Sequence, residues 1–370
     1  MLERPRYIMI GGFLGAGKTT SIQAFAEHLD SRGVKVGLIT NDQGSGLVDS
    51  AIGRSKQFPV EEIAGGCFCC KFDSLVEAAR HLEADESRRP DVFLAEPVGS
   101  CTDLVATVGL PMQAIYGQDF VVAPLSVLVD PLRALRVFQL EEGRGFSENV
   151  CYIYKKQLQE AGTIVINKVD LVNAEQLRKL REFFAEEFSD VDVLELSARG
   201  REGLDPWFKS MLEGEMDAAK VLDIDYDQYG DGEALLGWLN ATVRIEADDE
   251  IDGNELLMAL ASSLRVALDE RGYEVAHLKA TISPDDAPSE LAAVSLVRSE
   301  AQPELSHRLV EPLEVGELLL NIRAEAPPED LEAAAQAAIA GLAGVSAEVR
   351  RLEHFRPGKP QPTHRHDARG

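Results

Sequence analysis

The chain has 370 residues, of which 45% are hydrophobic and 27% charged, and its formal net charge is -26 at pH 7. This length allows two domains with a substantial core. The acidic balance argues against a nucleic-acid partner, because phosphate backbones bind basic patches. No apolar run approaches the ~18 residues of a membrane span, and no signal peptide precedes the first predicted strand. The sequence therefore predicts a cytoplasmic protein outside the membrane.

A phosphate-binding loop is the first motif, between an apolar run at residues 7–10 and a helical pattern at residues 18–32. The segment reads G-x-x-x-x-G-K-T, and its glycines allow backbone N–H groups to point at phosphate oxygens. Lys18 would reach the outer phosphates, and the Thr19 hydroxyl would bind Mg²⁺. The predicted nucleotide-binding residues here are Gly12, Gly15, Ala16, Gly17, Lys18, Thr19 and Thr20.

Asp42 follows the next predicted strand, residues 34–40. Open α/β sheets bind ligands at the carboxyl ends of their strands, so Asp42 is a candidate for Mg²⁺ or its water shell. The alternative is that Asn41 and Asp42 only form a turn.

Glu96 ends a third predicted strand, residues 91–95, and Gly99 comes three residues later. After a phosphate loop, this pattern is typical of the acid that orients Mg²⁺ or the attacking water, with a glycine N–H that senses the γ-phosphate. The predicted catalytic residues are Lys18, Asp42 and Glu96, and the predicted Mg²⁺ ligands are Thr19, Asp42 and Glu96.

A guanine-recognition tetrad follows another apolar strand. In it, Asp170 would accept hydrogen bonds from the ring N–H and exocyclic amine of guanine, the Lys168 stem would cover the base, and Asn167 would brace the loop. The alternative is a polar turn between strand and helix. Ser197 and Ala198 resemble the loop whose backbone N–H meets the guanine carbonyl in GTPases.

The order of elements predicts an α/β fold, with a doubly wound, mainly parallel P-loop NTPase sheet and a smaller C-terminal α+β domain. The second domain is of split βαβ type with an added strand. The predicted divisions are a GTPase domain at 1–213, an acidic linker at 214–235, the α+β domain at 236–355, and a basic tail at 356–370 that contains His364 and His366.

Three of the five cysteines, Cys67, Cys69 and Cys70, lie within four residues after two glycines. In a reducing compartment such clustering indicates metal or redox chemistry, and the spacing is too tight for a zinc ribbon. Three thiolates can converge on Zn²⁺, Co²⁺ or Ni²⁺ and leave a position open, which suits a site that releases its metal. A redox switch and three buried small residues are the alternatives. Cys101 is either an additional ligand or a core residue.

In their order along the chain, these motifs resemble the CobW-like GTPases, relatives of the urease and hydrogenase nickel-insertion GTPases. The resemblance covers residues 5–210. It implies a metallochaperone or metal-cofactor insertase in which GTP and Mg²⁺ order the switch loops. The C-x-C-C loop would hold the metal, and hydrolysis would release it to a client metalloprotein or corrinoid-related protein. A homodimer remains open.

The sequence departs from this family where Asn41-Asp42-Gln43-Gly44 replaces the frequent Asn-Glu-Phe-Gly, so Asp42 would keep its carboxylate with a shorter reach. Two other classes remain open. A small-molecule P-loop kinase or ATPase would have no use for the guanine tetrad, and a metal or redox sensor would carry a nucleotide site without catalysis.

Overall fold

The computed structural model describes residues 4–42, 58–84, 89–217 and 220–367. Within these ranges the chain forms two compact units, one with residues up to 232 together with 359–367, the other with residues 233–358. The sequence-based divisions at 213, 236 and 355 stay predictions. The compact units divide after residues 232 and 358.

The segment interpreted as an acidic linker contains a helix, Tyr226–Leu235. This helix is hard to predict from the sequence because its residues show no strong amphipathic pattern. Tertiary contacts stabilise this helix instead. The Tyr226 hydroxyl donates to Asp103 at 2.6 Å, and buried Tyr229 accepts a hydrogen bond from the backbone N–H of Thr102 at 3.1 Å.

The first unit is built on a parallel sheet, which confirms the predicted α/β class. In the described residues its strand order is β3-β2-β4-β1-β6-β7-β8, with β5 also paired to β1, and every pairing is parallel. The strands are β1 Arg6–Gly12, β2 Val36–Asp42, β3 Val60–Ala64, β4 Val92–Glu96, β5 Val121–Val122, β6 Ser126–Val129, β7 Thr163–Ile166 and β8 Asp192–Glu195. The helices are Lys18–Asp30, Phe72–Glu83, Leu110–Tyr116, Pro131–Val137, Glu148–Gln159, Ala174–Glu187 and Leu204–Glu213, with a π-helical segment at Val105–Gly109 and a 3-10 turn at Val169–Leu171.

Helices flank this sheet, so its central strands are buried along their whole length. Strands β1, β4, β6 and β7 expose no residue, as expected for parallel strands covered on both faces. The predicted capping box is present: Asn173 and Gln176 bond each other's backbone at the start of the helix Ala174–Glu187.

The strand order brings four loops to one edge of the sheet. Strands β3, β2, β4 and β1 are consecutive neighbours, and all run in the same direction. Their carboxyl ends lead into the cysteine loop, Asp42, the Glu96 loop and the phosphate loop respectively. This edge therefore carries both the predicted nucleotide residues and the predicted metal ligands.

The second unit contains an antiparallel sheet of order β12-β11-β10-β13-β9-β14. Strand β13 lies between β9 and β10, which the helix Gly253–Glu270 connects, so the predicted split βαβ topology is present. The elements are β9 Leu236–Ile251, the helix Gly253–Glu270, β10 Glu274–Pro284, β11 Ala292–Leu296, β12 Glu304–His307, β13 Leu313–Glu325, the helix Pro328–Ala340 and β14 Ser346–Phe355. Strand β12 was not predicted because it is a short, largely polar strand at the sheet edge.

The leucine stripe of the helix Gly253–Glu270 forms the core of this unit. Leu257, Leu260, Leu264 and Leu268 are all buried, together with the inward residues of the sheet. Across the described part of the chain, no helix is both long enough and apolar enough to cross a bilayer.

Candidate nucleotide and metal site

The phosphate loop has the backbone geometry that its glycines predict. Gly12, Gly15 and Gly17 all have positive φ angles, of 127°, 82° and 92°. A β-carbon at Gly17 would lie 2.4 Å from Nδ2 of Asn167, so a side chain here would clash as well as strain the backbone. The helix Lys18–Asp30 begins directly after this turn. Its N–H groups and positive dipole end therefore face the loop, as anion binding requires.

Lys18 and Thr19 both contact polar groups of this edge. Lys18 is buried, and its Nζ donates to the carbonyl of Gly12 at 3.0 Å. The Thr19 hydroxyl donates to Oε1 of Glu96 at 3.1 Å, so these two predicted Mg²⁺ ligands lie side by side. Asp42 ends β2 at the same edge, and its side chain lies outside the described part of the structure. Of the remaining loop residues, Ala16 is buried and Thr20 is exposed.

Gly99 brings the loop after Glu96 against the phosphate loop. A β-carbon there would lie 2.9 Å from both the Leu14 nitrogen and Nζ of Lys18. Gln157 holds this loop, because its Nε2 donates to the carbonyls of Gly99 at 2.9 Å and Cys101 at 2.8 Å. No motif in the sequence marks Gln157 as part of the site. The loop therefore begins at the phosphate site and is fixed at its far end.

Asn167 connects three loops of the predicted nucleotide site. Its Nδ2 donates to the carbonyl of Ala16 at 2.9 Å, and its Oδ1 accepts from the N–H groups of Lys168 at 2.8 Å and Ala198 at 3.1 Å. Asn167, Ser197 and Ala198 are all buried. The predicted bracing role of Asn167 thus has a direct geometric basis, and the Ala198 N–H is bonded to Asn167 in this structure.

Lys168 lies across the phosphate loop, with a left-handed backbone at φ 57°. Its Nζ donates to the Gly15 carbonyl at 2.6 Å and to Oδ2 of Asp130 at 2.9 Å. Asp130 is buried at the end of β6 and was not selected from the sequence, although an acid at a strand tip could have marked it. Asp170 is exposed, so its carboxylate is accessible to a base.

The three clustered cysteines converge as predicted. Their sulfurs are 2.8 Å apart for Cys67 and Cys69, 3.2 Å for Cys67 and Cys70, and 3.7 Å for Cys69 and Cys70. None is in a disulfide, and within the described ranges this is the one group of Cys, His, Asp and Glu ligand atoms that could hold a metal together. Cys67 and Cys69 are only 3% and 1% exposed. Hydrogen bonds from Cys101 and Cys69 lower the pKa of the Cys67 thiol, so this sulfur is the one favoured as thiolate.

Asn41, at the end of β2, holds the backbone of the cysteine loop. Its Nδ2 donates to the carbonyls of Ile63 at 2.9 Å and Gly66 at 2.6 Å, and its Oδ1 accepts from the Phe68 N–H at 2.9 Å. From the sequence alone, Asn41 is expected only to form part of a turn. Its position at the tip of a predicted strand is the one feature that could have marked it as part of the site.

Replacing Asn41 is expected to weaken metal binding, because the three sulfurs would lose their backbone support. For Asn41→Ala we expect a ~10–100-fold loss of Zn²⁺ affinity, as for other groups that orient ligands. Competition with a chromophoric chelator measures this loss, with Asn149→Ala as the matched control. Unchanged affinity in Asn41→Ala would mean that the cysteine loop keeps its geometry by itself.

A segment that we call the strap, residues 359–367, lies against the cysteine loop within the first unit. The Gln361 N–H contacts Sγ of Cys70 at 3.3 Å, and the Thr363 N–H donates to the Cys69 carbonyl at 2.9 Å. The His364 ring packs edge-on against Phe72, with centroids 5.0 Å apart. His364 and His366 lie outside the group of ligand atoms formed by the three sulfurs.

Glu160 is a buried carboxyl group behind the Glu96 loop. Its two oxygens accept hydrogen bonds from the Thr102 hydroxyl and the Val105 N–H, each at 3.0 Å. Burial raises the pKa of Glu160 to about 8, and the hydrogen bond from Val105 only partly opposes this effect. Glu160 is therefore mainly protonated at neutral pH.

This raised pKa predicts a loss of stability as the pH rises. Between pH 4.5 and about 8 the unfolded chain releases the Glu160 proton while the folded chain keeps it. The free energy of unfolding should therefore fall with rising pH in this window, by on the order of a few kcal/mol. Urea unfolding of Glu160→Gln should show a smaller fall, and exposed Glu186→Gln should behave as the unmodified chain. Equal pH dependence in all three would contradict the assignment.

Comparisons of this chain with known proteins point to the same family. The profile of the CobW/HypB/UreG nucleotide-binding domain matches residues 6–193. The chain is 29% identical over 191 residues to the zinc chaperone YeiR of Escherichia coli, covering 50% of this chain and 53% of YeiR. It is 29% identical over 194 residues to the zinc chaperone CobW of a Sinorhizobium species, covering 47% and 53%. The chain thus spans about half the length of these curated relatives. Among solved structures, HypB from Helicobacter pylori in complex with nickel has a TM-score of 0.41 at 19% identity, covering 56% of this chain and 86% of HypB.

Proposed function

The chain belongs to the CobW/HypB/UreG nucleotide-binding family, and from this premise we propose that it is a GTP-hydrolysing metallochaperone. It holds a divalent transition metal on Cys67, Cys69 and Cys70 and releases it to a client metalloprotein when GTP is hydrolysed. The observation that carries this proposal is that three convergent sulfurs and a phosphate loop lie at one edge of one parallel sheet.

The cargo that fits this donor set best is zinc. Thiolates select soft or borderline ions, and three of them leave a fourth position for a further ligand or for exchange. The curated relatives named above are zinc chaperones, which supports Zn²⁺ as the first candidate, with Co²⁺ and Ni²⁺ as alternatives of similar chemistry. The burial of Cys67 and Cys69 would protect the bound ion from water and competing ligands.

The nucleotide residues have distinct proposed roles. The backbone N–H groups of the phosphate loop bind the phosphates, Lys18 neutralises the outer phosphates, and Asp170 recognises guanine. Thr19 and Glu96 offer adjacent oxygen ligands of the kind that Mg²⁺ prefers, with Asp42 as the third proposed group. Mg²⁺ bound there supplies positive charge to the β- and γ-phosphates. Glu96 would also orient the attacking water, and the Gly99 N–H would contact the γ-phosphate.

GTP turnover with and without Zn²⁺, Co²⁺ and Ni²⁺ tests this function. We expect hydrolysis of GTP but not ATP, and a metal effect on turnover that Cys67→Ser removes. Cys151→Ser is the matched control, because Cys151 lies in the helix Glu148–Gln159 and its thiol contacts the Phe146 carbonyl. Preferential ATP turnover would favour a kinase or ATPase, and no turnover under any condition would favour a sensor.

A further inference from the structure

Cys101 ends the loop that begins at Glu96, and this loop touches the phosphate site at two points. Glu96 accepts a hydrogen bond from Thr19, and Gly99 lies against Nζ of Lys18. Its chain then turns back, with the Cys101 N–H donating to the Val98 carbonyl at 3.0 Å. Cys101 therefore ends the same loop, residues 96–101, that contacts the phosphate loop through Glu96 and Gly99.

The Cys101 side chain contacts the thiol cluster. It is 1% exposed, and its thiol hydrogen-bonds Sγ of Cys67, the sulfur that also contacts Cys69 and Cys70. Cys101 and the three clustered cysteines thus contribute four sulfurs from two separate loops. Three of them come from the loop after β3, and the fourth comes from the loop after β4.

We propose that Cys101 is the fourth thiolate ligand of the cargo metal. This inference rests on the proposed function, and it deepens that function by naming how the nucleotide acts on the metal. The Cys101 sulfur lies outside the group of three sulfurs that are within 4.8 Å of one another, so its loop would have to move closer when the metal binds. Four sulfurs would then complete the tetrahedral shell that Zn²⁺ prefers. A movement of the Glu96–Cys101 loop on loss of the γ-phosphate would withdraw one ligand and leave the more weakly held three-sulfur site. Gln157 holds the Gly99 and Cys101 carbonyls in the present arrangement, so withdrawal of Cys101 would break these two hydrogen bonds.

X-ray absorption spectroscopy of the full-length Zn²⁺ complex tests the ligand count without any substitution. With a non-hydrolysable GTP analogue bound, we expect four sulfurs at ~2.3 Å. Three sulfurs with one oxygen or nitrogen in that state would overturn the proposal.

Variants then separate this proposal from the function on which it rests. In Co²⁺ titrations, the charge-transfer absorbance of Cys101→Ser should fall by the contribution of one thiolate. Its Co²⁺ affinity should fall ~10–100-fold. Cys151→Ser should match the unmodified chain in both measurements. Cys67→Ser should lose binding almost entirely. If Cys101→Ser matches the unmodified chain while Cys67→Ser fails to bind, the fourth-ligand proposal is wrong and the cargo site stands. If Cys67→Ser also binds normally, the proposed function itself fails.

The contacts of the strap support a second inference, which uses different observations from the first. Cys67, Cys69 and Cys101 are almost completely buried, and Cys70 is the partly exposed thiol of the cluster. The strap lies over Cys70. The Gln361 N–H contacts Sγ of Cys70, and the Thr363 hydroxyl contacts the Cys70 carbonyl at 3.3 Å.

Arg365 fastens the strap to the first unit through buried Asp103 and the backbone of Leu222. Its Nε donates to Oδ2 of Asp103 at 2.8 Å, and its Nη2 donates to the Leu222 carbonyl at 2.8 Å. Asp103, two residues after Cys101, has a left-handed backbone with φ 64°. We infer that the strap is a removable cover over the metal site, and that a client reaches the metal by displacing it. This too rests on the proposed cargo site.

The rate at which the Zn²⁺ complex transfers its metal to a chromophoric chelator tests the cover. Deletion of residues 359–370 should speed transfer several-fold, and deletion of residues 368–370 is the control. Arg365→Ala, which keeps the whole chain, should also speed transfer. Unchanged rates in both the deletion and Arg365→Ala would overturn this inference, whereas Zn²⁺ binding that is unaffected by Cys67→Ser would instead contradict the cargo site.

Discussion

Lys18→Ala is expected to abolish GTP turnover, with a fall in kcat of ~10²–10³-fold or more. The Lys18 side chain is buried at the phosphate loop, where its ammonium group donates to the Gly12 carbonyl. Charge that develops on the outer phosphates during hydrolysis would lose its nearest cation, and preorganised charges in such sites contribute the largest single share of catalysis. Phosphate release under saturating GTP measures the effect.

The matched control for this variant is Lys179→Ala. Lys179 lies on the helix Ala174–Glu187, and its Nζ is 3.8 Å from a carboxylate oxygen of Glu141. We expect turnover close to that of the unmodified chain. Activity that survives Lys18→Ala would mean that this loop does not carry the hydrolysis.

In Asp170→Asn, the free energy of GTP binding should become less favourable by on the order of 2–4 kcal/mol, because a charged acceptor of two hydrogen bonds is removed from the base pocket. The same change should shift preference toward xanthosine triphosphate, since xanthine presents a carbonyl where guanine has its amine. The Asn amide can donate to that carbonyl. Competition binding with the three nucleotides GTP, ATP and xanthosine triphosphate measures both effects.

Asp192→Asn, on the exposed start of β8, is the control and should leave nucleotide preference unchanged. If the unmodified chain bound ATP as tightly as GTP, the guanine-recognition role of Asp170 would be wrong.

The features that the sequence predicted well are those whose cause is local. The phosphate loop depends on glycines within six residues, and their positive φ angles follow from the motif alone. The parallel sheet follows from buried strands that alternate with helices. The convergence of Cys67, Cys69 and Cys70 follows from their spacing, because residues so close in one turn have few ways to point apart.

The features that the sequence left open are contacts between distant segments. Gln157 lies 56 residues from Cys101, and no pattern in either segment connects them. The strap is separated from Cys70 by 291 residues at Gln361, so no local pattern in the sequence connects these two segments. Cys101 remained undecided between ligand and core residue for the same reason, because its contact with Cys67 is created by the neighbouring positions of β2, β3 and β4.

Titrating Co²⁺ into the chain with GDP and with a non-hydrolysable GTP analogue tests directly whether metal binding and nucleotide binding are coupled. Thiolate charge-transfer absorbance reports the bound metal in both states. Because coupling is reciprocal, tighter metal binding in the GTP state must tighten GTP by the same factor, which we expect to be ~5–150-fold. We expect Co²⁺ to bind more tightly with the GTP analogue than with GDP. Equal affinities in the two states would contradict a release cycle driven by GTP, even if the cysteines bind metal.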